Sequence, residues 1–285
     1  MNLVREKKWG PVRALETGYG PIGKPMMTVH LYCIDDLLVD AGQSHMEVPI
    51  CQWLQKNPPR KLILTHHHED HSGNAAAIQR TFGASVHGPE ECIRKMSTPY
   101  RILPYQHLVW GKSTPAAIQP LCRIVETDRF QLHPLPTPGH SRDHTAYLEK
   151  NMGWLFAGDL YLGDRIKYFR VDECFSDQVE SLKTVLQHDF DALFCAHNPC
   201  PRNGKKRIAA KLAYLEELFE NIRRLWEKGY PEKIIIRRVQ QKSEWFVRLL
   251  TMGNASFGNM VRSALADIQR EEAGGSRWKA GGGRW

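Results

Sequence analysis

The chain has 285 residues, 42% of them apolar and 25% charged, an ordinary globular composition with room for one large α/β domain plus an appendage, or two modest domains. No apolar run approaches the roughly 20 residues of a membrane-spanning helix, and Met1 to Arg13 has no stretch of signal-peptide character, so a cytoplasmic protein without a membrane partner is expected. The net charge of +8 belongs to the tail: residues 1–200 hold 21 Lys and Arg against 22 Asp and Glu, residues 201–285 hold 18 against 9.

A basic tail can grip phosphates or form a solvated helical surface; its interspersed Glu216, Glu217 and Glu220 favour the second. Seven cysteines, at 33, 51, 92, 122, 174, 195 and 200, have neither zinc-ribbon nor disulfide-scaffold spacing, which suggests that most are reduced core residues.

In chain order, Met27 to Ile34 and Asp36 to Val39 read as strands around a tight Asp35-Asp36 turn, the second ending in Asp40-Ala41-Gly42. A helix near His45 to Lys56 is closed by Asn57-Pro58-Pro59. Lys61 to Thr65 is a short buried strand, Ala75 to Phe82 a helix stopped by Gly83, and Ala84 to His87 a further strand. This alternation marks a layered α/β domain.

Residues 88–122, with Pro99, Pro104, Pro115 and Pro120 among aromatics, read as a long structured loop or short helices. Strands return at Phe130 to Leu135, His144 to Leu148, Gly153 to Ala157 and Ala192 to Ala196, with a helix from Asp177 to Gln187. Beyond Pro201, apolar residues from Ile208 to Trp226 recur at three and four, the mark of an amphipathic helix. Two more helices are expected at Ser243 to Leu250 and Ala255 to Ile268, and the glycine-rich end reads as disordered.

The chemistry concentrates in Thr65-His66-His67-His68-Glu69-Asp70-His71-Ser72, directly after the apolar Leu62-Ile63-Leu64. His66 and His68 are two apart, so on an extended strand they project to one side. Asp70 and His71 follow where the chain turns toward the next helix. Imidazole and carboxylate together suit zinc, iron or manganese. Three later strands end in the same form, apolar run, small residue, ligand: His140 in Pro138-Gly139-His140, Asp159 after Ala157-Gly158, and His197 after Cys195-Ala196.

This set resembles the metallo-β-lactamase fold superfamily, whose hallmark is H-x-H-x-D-H followed by His, Asp and His on later strand ends. The similarity covers roughly residues 25–200, and Asp40-Ala41-Gly42 resembles the family's acidic turn. The resemblance implies a four-layer αββα sandwich, taken as 1–203; the helical pattern beyond it reads as a C-terminal extension at 204–272 that caps the site, and 273–285 as a disordered tail. The resemblance also implies two divalent metal ions, zinc first with iron or manganese as alternatives. His66, His68 and His140 would hold one, Asp70, His71 and His197 the other, with Asp159 bridging.

Other residues carry weaker signals. His144, in His140-Ser141-Arg142-Asp143-His144, is expected to support the ligands rather than join them. His67 and Glu69 point away from their neighbours and are expected to be exposed or to stand behind the ligands. Cys195 reads as core, and Tyr161 and Tyr168 as packing residues rather than oxyanion donors.

The resemblance implies a metal-dependent hydrolase that uses a metal-bound hydroxide on a small-molecule thioester, lactone or ester, with Asp70 as proton shuttle. A ribonuclease or phosphodiesterase gripping nucleic acid through the basic tail is a second reading. An iron-dependent persulfide dioxygenase is a third, and a metal-retaining binding protein without catalysis the last. A homodimer stays open.

Overall fold

A computed structural model of the protein describes residues 1–240 and 244–274. Its chain opens in a hairpin that the sequence pattern does not announce: β1 (Leu3–Trp9) and β2 (Val12–Gly18) pair antiparallel, with Trp9 opposite Val12. Gly10 makes the reversal at φ +58°, a backbone state open to glycine at little cost. β1 is mostly exposed and carries charges, so it lacks the apolar run by which a strand is recognised.

Two compact units make up the chain. The first comprises Met1–Pro136, Asp143–Leu162 and Asp189–Lys205; the second comprises Thr137–Arg142, Gly163–His188 and the chain from Lys206 onward.

In the first unit, β1 and β2 continue into a seven-stranded sheet with β3 (Val29–Ile34), β4 (Leu37–Val39), β5 (Lys61–Ile63), β6 (Ser85–Gly88) and β7 (Ile118–Pro120), in sequence order. Pairing is antiparallel up to β4 and parallel from β4 to β7. The parallel part needs crossovers. These carry α1 (Glu47–Gln55), α2 (Glu69–Ser72), α3 (Ala75–Phe82), α4 (Glu90–Met96) and α5 (Pro104–Val109). Residues 88–122 thus contain two short helices and a strand.

A second sheet is built from β8 (Val125–Glu126), β9 (Gln131–Pro136), β10 (Thr145–Glu149), β11 (Trp154–Gly158) and β13 (Ala192–Cys195), in the order β13-β11-β10-β9-β8. β11 and β13 run parallel, and the other neighbours in this sheet are antiparallel.

The layers follow from which faces are apolar. One face of the first sheet, with Leu31, Leu38 and Leu62, buries against Ile50 and Leu54 of α1 and Ile78 of α3. The other face, with Tyr32, Val39 and Ile63, packs on Tyr147, Phe156 and Phe194 of the second sheet. Each such side chain removed from water contributes roughly 1.5–3 kcal/mol. Two buried hydroxyls tie the sheets together near their strand ends: Tyr32 donates to the Cys195 carbonyl at 2.5 Å and Tyr147 to the Leu64 carbonyl at 2.6 Å. Both are satisfied, which burial demands.

The second unit holds α6 (Phe175–Leu186), α7 (Gly204–Glu227), α8 (Glu232–Val239), α9 (Trp245–Leu250) and α10 (Phe257–Glu272), with β12 (Phe169–Arg170) paired to β14 (Ala255–Ser256). α7 buries Ile208, Leu215, Leu218 and Ile222, the apolar stripe read from the sequence. Phe175 stacks on Phe219 at 5.6 Å, and the start of α6 is held by α10, where Ser263 Oγ accepts from Phe175 N–H. Asn259 ties α10 to the small sheet by donating to the Phe169 and Asn254 carbonyls.

Several expectations need correction. α8 has no counterpart in the sequence reading; it starts after Pro231 and buries Ile235 on its narrow apolar face. All seven cysteines are free thiols, but only Cys33, Cys92 and Cys195 are buried, so most are not core. The helix expected from Ser243 begins at Trp245, Ser243 itself lying outside the described residues. The tail expected to be disordered falls outside them too, from residue 275 on. Among the described residues no helix is long and apolar enough to cross a membrane.

Candidate metal centre

β4 and β5 run parallel, as do β11 and β13, so both sheets of the first unit deliver polar residues at carboxyl ends of parallel strands. Asp40 follows β4, Leu64 to His68 lead from β5 into α2, Asp159 follows β11, and His197 comes two residues after β13. Each segment leaves the sheet as soon as its ladder ends, which frees the side chain to turn inward.

Asp70, His71, Asp159 and His197 meet, each offering one ligand atom within 4.8 Å of the others. His71 Nε2 lies 3.2 Å from Asp159 Oδ1 and 3.7 Å from Asp70 Oδ2. His197 Nε2 lies 3.3 Å from the same Asp159 oxygen and 3.4 Å from Asp70 Oδ2.

The second nitrogen of each imidazole fixes its tautomer. His71 Nδ1 donates to Asp40 Oδ2 at 2.8 Å, and His197 Nδ1 to the Thr28 carbonyl at 2.7 Å. In the neutral ring this leaves the Nε2 lone pair aimed at two carboxylates. Lone pairs facing carboxylate oxygens in a buried pocket repel unless a cation lies among them, and this donor set fits a divalent metal ion.

The same electrostatics appears in the proton affinities. Burial alone would push His197 down, but Asp159 and Asp70 outweigh it and hold the imidazole up to about 10. His71 is likewise raised, against its burial, by Asp159, Asp70 and Asp40. Asp70 moves the other way: burial opposes ionisation, yet His71 and His197 draw it below the usual carboxylate range.

His66 and His68 lie side by side in the same unit, His66 Nε2 2.9 Å from His68 Nδ1. Thr65 organises this end. Its backbone N–H donates to Asp40 Oδ1 at 2.8 Å, and its hydroxyl lies 2.9 Å from Asp40 Oδ2 and 3.0 Å from His66 Nδ1. With its one proton given to the carboxylate, Thr65 Oγ1 accepts from His66, and Nε2 is left toward His68. Asp40 thus sits behind both His66 and His71, from a left-handed backbone at φ +61°.

His140 stands on Thr137–Arg142, a segment of the second unit. It is buried, with Nδ1 3.5 Å from Glu173 Oε2. α6 holds its turn: Cys174 N–H donates to the Gly139 carbonyl at 2.8 Å, and Ser181 Oγ to the Pro138 carbonyl at 2.6 Å. Gly139 is required there, because a Cβ would meet the Gln178 backbone nitrogen at 2.4 Å.

Residues outside the expected ligand set take other places. His144 Nε2 accepts the Asp159 backbone N–H at 3.0 Å, so this imidazole holds the strand end that carries Asp159. Gly158, at φ +45°, leaves room for it; a Cβ would lie 2.7 Å from His144 Nε2. Cys195 is fully buried and Tyr161 nearly so, whereas Tyr168 is exposed and is not the packing residue expected.

His67 and Glu69 are not exposed. Glu69 is buried and accepts from Gln106 Nε2 at 3.0 Å. His67 is buried against Asp143, whose carboxylate lies 2.9 Å from Nδ1. Thr65 and Asp143, for which the sequence pattern implies no role, also contact the motif histidines. Both lie inside the quoted motifs, and a polar side chain next to a motif histidine, His66 for Thr65 and His144 for Asp143, is the signal the sequence offers.

Two packed sheets whose parallel strands end in a shared His and Asp cluster define a class of metal-binding α/β protein. The sequence model of the Metallo-beta-lactamase superfamily matches residues 36–197, and the chain belongs to that superfamily. Among curated proteins it is similar to a hydroxyacylglutathione hydrolase of Legionella pneumophila (strain Lens), 32% identical over 173 residues. The chain spans about 59% of that relative's length, and the match takes in 59% of this chain.

Solved structures agree on the fold. A beta-lactamase domain protein from Burkholderia ambifaria superposes with TM-score 0.72 at 18% identity, covering 94% of this chain and 88% of that one. A metallo-beta-lactamase family protein from Thermus thermophilus gives TM-score 0.67 at 19% identity, covering 93% and 95%.

Proposed function

We propose that the chain is a metal-dependent hydrolase acting on a small-molecule thioester, lactone or ester. In this reading His66, His68 and His140 hold one divalent ion, Asp70, His71 and His197 the other, and Asp159 lies between them. The observation that carries it is the meeting of Asp70, His71, Asp159 and His197 within 4.8 Å, with each imidazole's second nitrogen already committed to a protein acceptor. Similarity to a hydroxyacylglutathione hydrolase favours a thioester among the candidate substrates.

When bound, divalent ions of this kind lower the pKa of a coordinated water from 15.7 toward about 7 and polarise an acyl oxygen. The protein's own residues do the rest. Asp40 holds the His71 ring and, through Thr65, the His66 ring, so the ligands need little rearrangement as charge develops. Asp70 stays ionised beside His71 and His197, and is the proposed acceptor for the proton that the attacking water gives up. His144 keeps Asp159 in place through its backbone N–H.

The basic region supports a solvated surface over a phosphate grip. Arg207 pairs with Asp164, Arg223 with Glu271, Arg262 with Glu232 and Arg270 with Asp267.

Metal analysis of the purified chain, coupled to turnover of thioesters, lactones, esters and phosphodiesters with the metals loaded, tests the proposal. Two divalent ions per chain and acyl hydrolysis are expected. One iron per chain with oxygen consumption would replace hydrolysis by a dioxygenase reaction. Phosphodiester cleavage alone would move the substrate to nucleic acid.

A further inference from the structure

His67 stands between two proposed metal ligands, yet every polar group it owns is bound to protein. Its backbone N–H donates to Asp143 Oδ2 at 2.8 Å, and its carbonyl accepts from Ser72 Oγ at 2.7 Å and Tyr100 Oη at 3.1 Å. Nδ1 lies 2.9 and 3.0 Å from the two Asp143 oxygens, and Nε2 lies 2.9 Å from Lys95 Nζ. A lysine ammonium can only donate, so Nε2 accepts and Nδ1 carries the proton given to Asp143. The tautomer follows without further assumption.

Asp143 therefore grips His67 twice, by its backbone and by its ring. The Asp143 side chain is fully buried, and His67 is 6% exposed. Such a grip fixes the peptide plane and the χ angles of one residue in the middle of His66-His67-His68. The two flanking imidazoles share that backbone, and their separation depends on it. Lys95, on α4, and Tyr100, just beyond it, meet the same residue, so the segment after β6 is anchored to the middle of the motif.

We propose that Asp143 is a positioning residue for the metal centre, acting through His67 to set the spacing of His66 and His68. It does not touch the metal. This inference rests on the two-metal reading above, and it adds a residue from the His140–His144 loop that the ligand pattern leaves out. Supporting groups of this type change metal affinity by roughly 10–100-fold when removed.

The test is metal binding by the full-length chain, with zinc affinity measured by chelator competition and the visible spectrum of the cobalt-loaded protein as a second readout. Wild type is expected to take two ions. In Asp143→Asn the carboxylate charge is lost and an NH2 donor takes the place of one of the two oxygens facing His67 Nδ1–H, and one of the two zinc ions should bind at least about 10-fold more weakly. The cobalt spectrum should shift, while the metal-free variant keeps the wild-type circular dichroism.

His67→Ala should show the same selective loss, and it decides the matter if Asp143→Asn does not fold. Lys95→Met leaves the Asp143 grip intact and should keep both ions. Two ions held with unchanged affinity and spectrum in folded Asp143→Asn or His67→Ala overturn the inference and leave the metal centre standing. A wild-type chain that binds no zinc or cobalt overturns both.

Discussion

Asp40 and His71 are joined by a 2.8 Å hydrogen bond from Nδ1 to Oδ2, and the same carboxylate receives both the N–H and the hydroxyl of Thr65. One buried acid thus orders two histidines from opposite ends of the motif. Asp40→Ala should lower metal affinity by about 10–100-fold. It also leaves the Thr65 amide unpaired, a further loss of about 1–3 kcal/mol in stability. Chelator competition and chemical denaturation measure the two effects separately; unchanged affinity would show that His71 orients itself.

Asp70 faces both imidazoles of its cluster, at 3.7 Å from His71 and 3.4 Å from His197. Asp70→Ala is expected to abolish turnover while leaving circular dichroism unchanged. Near wild-type rates in a folded variant would remove Asp70 from the site.

Gly158 permits the contact between His144 and Asp159. In Gly158→Ala the new methyl would lie 2.7 Å from His144 Nε2 and 2.8 Å from Thr65 Oγ1, at a φ of +45°. Strain and overpacking together should cost about 2–4 kcal/mol. Thermal unfolding reads this as a lower Tm, and metal content should fall with it because Asp159 is displaced.

His30 makes stability depend on pH. Burial pushes its imidazole down to about 4, with Lys7 adding to that and the Ala196 carbonyl and Glu16 opposing it. The folded chain therefore binds fewer protons here than the unfolded chain, whose histidine titrates near 6.5. The stability gained from a neutral His30 is full above pH 6.5 and is lost as pH falls toward 4. With the unfolded value near 6.5, the loss is of order 3 kcal/mol. Denaturation of wild type and His30→Gln at pH 7 and pH 4.5 should show a smaller drop in the variant.

The strand ends that carry His66, Asp159 and His197 were legible because each combines an apolar run, a small residue and a polar side chain. The support around them was harder to read. A residue between two proposed ligands in an extended segment is expected to face away from them, and facing away ordinarily means facing water. At His67 it means facing Asp143, Lys95 and Tyr100, which reach it from distant parts of the chain. Glu69 is hidden for the same reason, by Gln106 of α5. β1 escaped notice because its charges suit an exposed margin, and α8 because a helix that buries little shows a weak apolar repeat. Local pattern reports what a segment buries against its own sheet or helix partner; it is silent on side chains satisfied across the fold.

The two margins of the seven-stranded sheet bear on how the protein behaves in a crowded solution. A bare outer strand is a template for another chain's backbone, and sheet-to-sheet growth starts there. At one margin β1 presents Arg5, Glu6 and Lys8 to solvent, charged side chains that disfavour strand-to-strand docking. At the other, β7 has three residues and ends in Pro120, which has no N–H to offer. Both borders thus carry features that work against extension of the sheet by another chain's backbone.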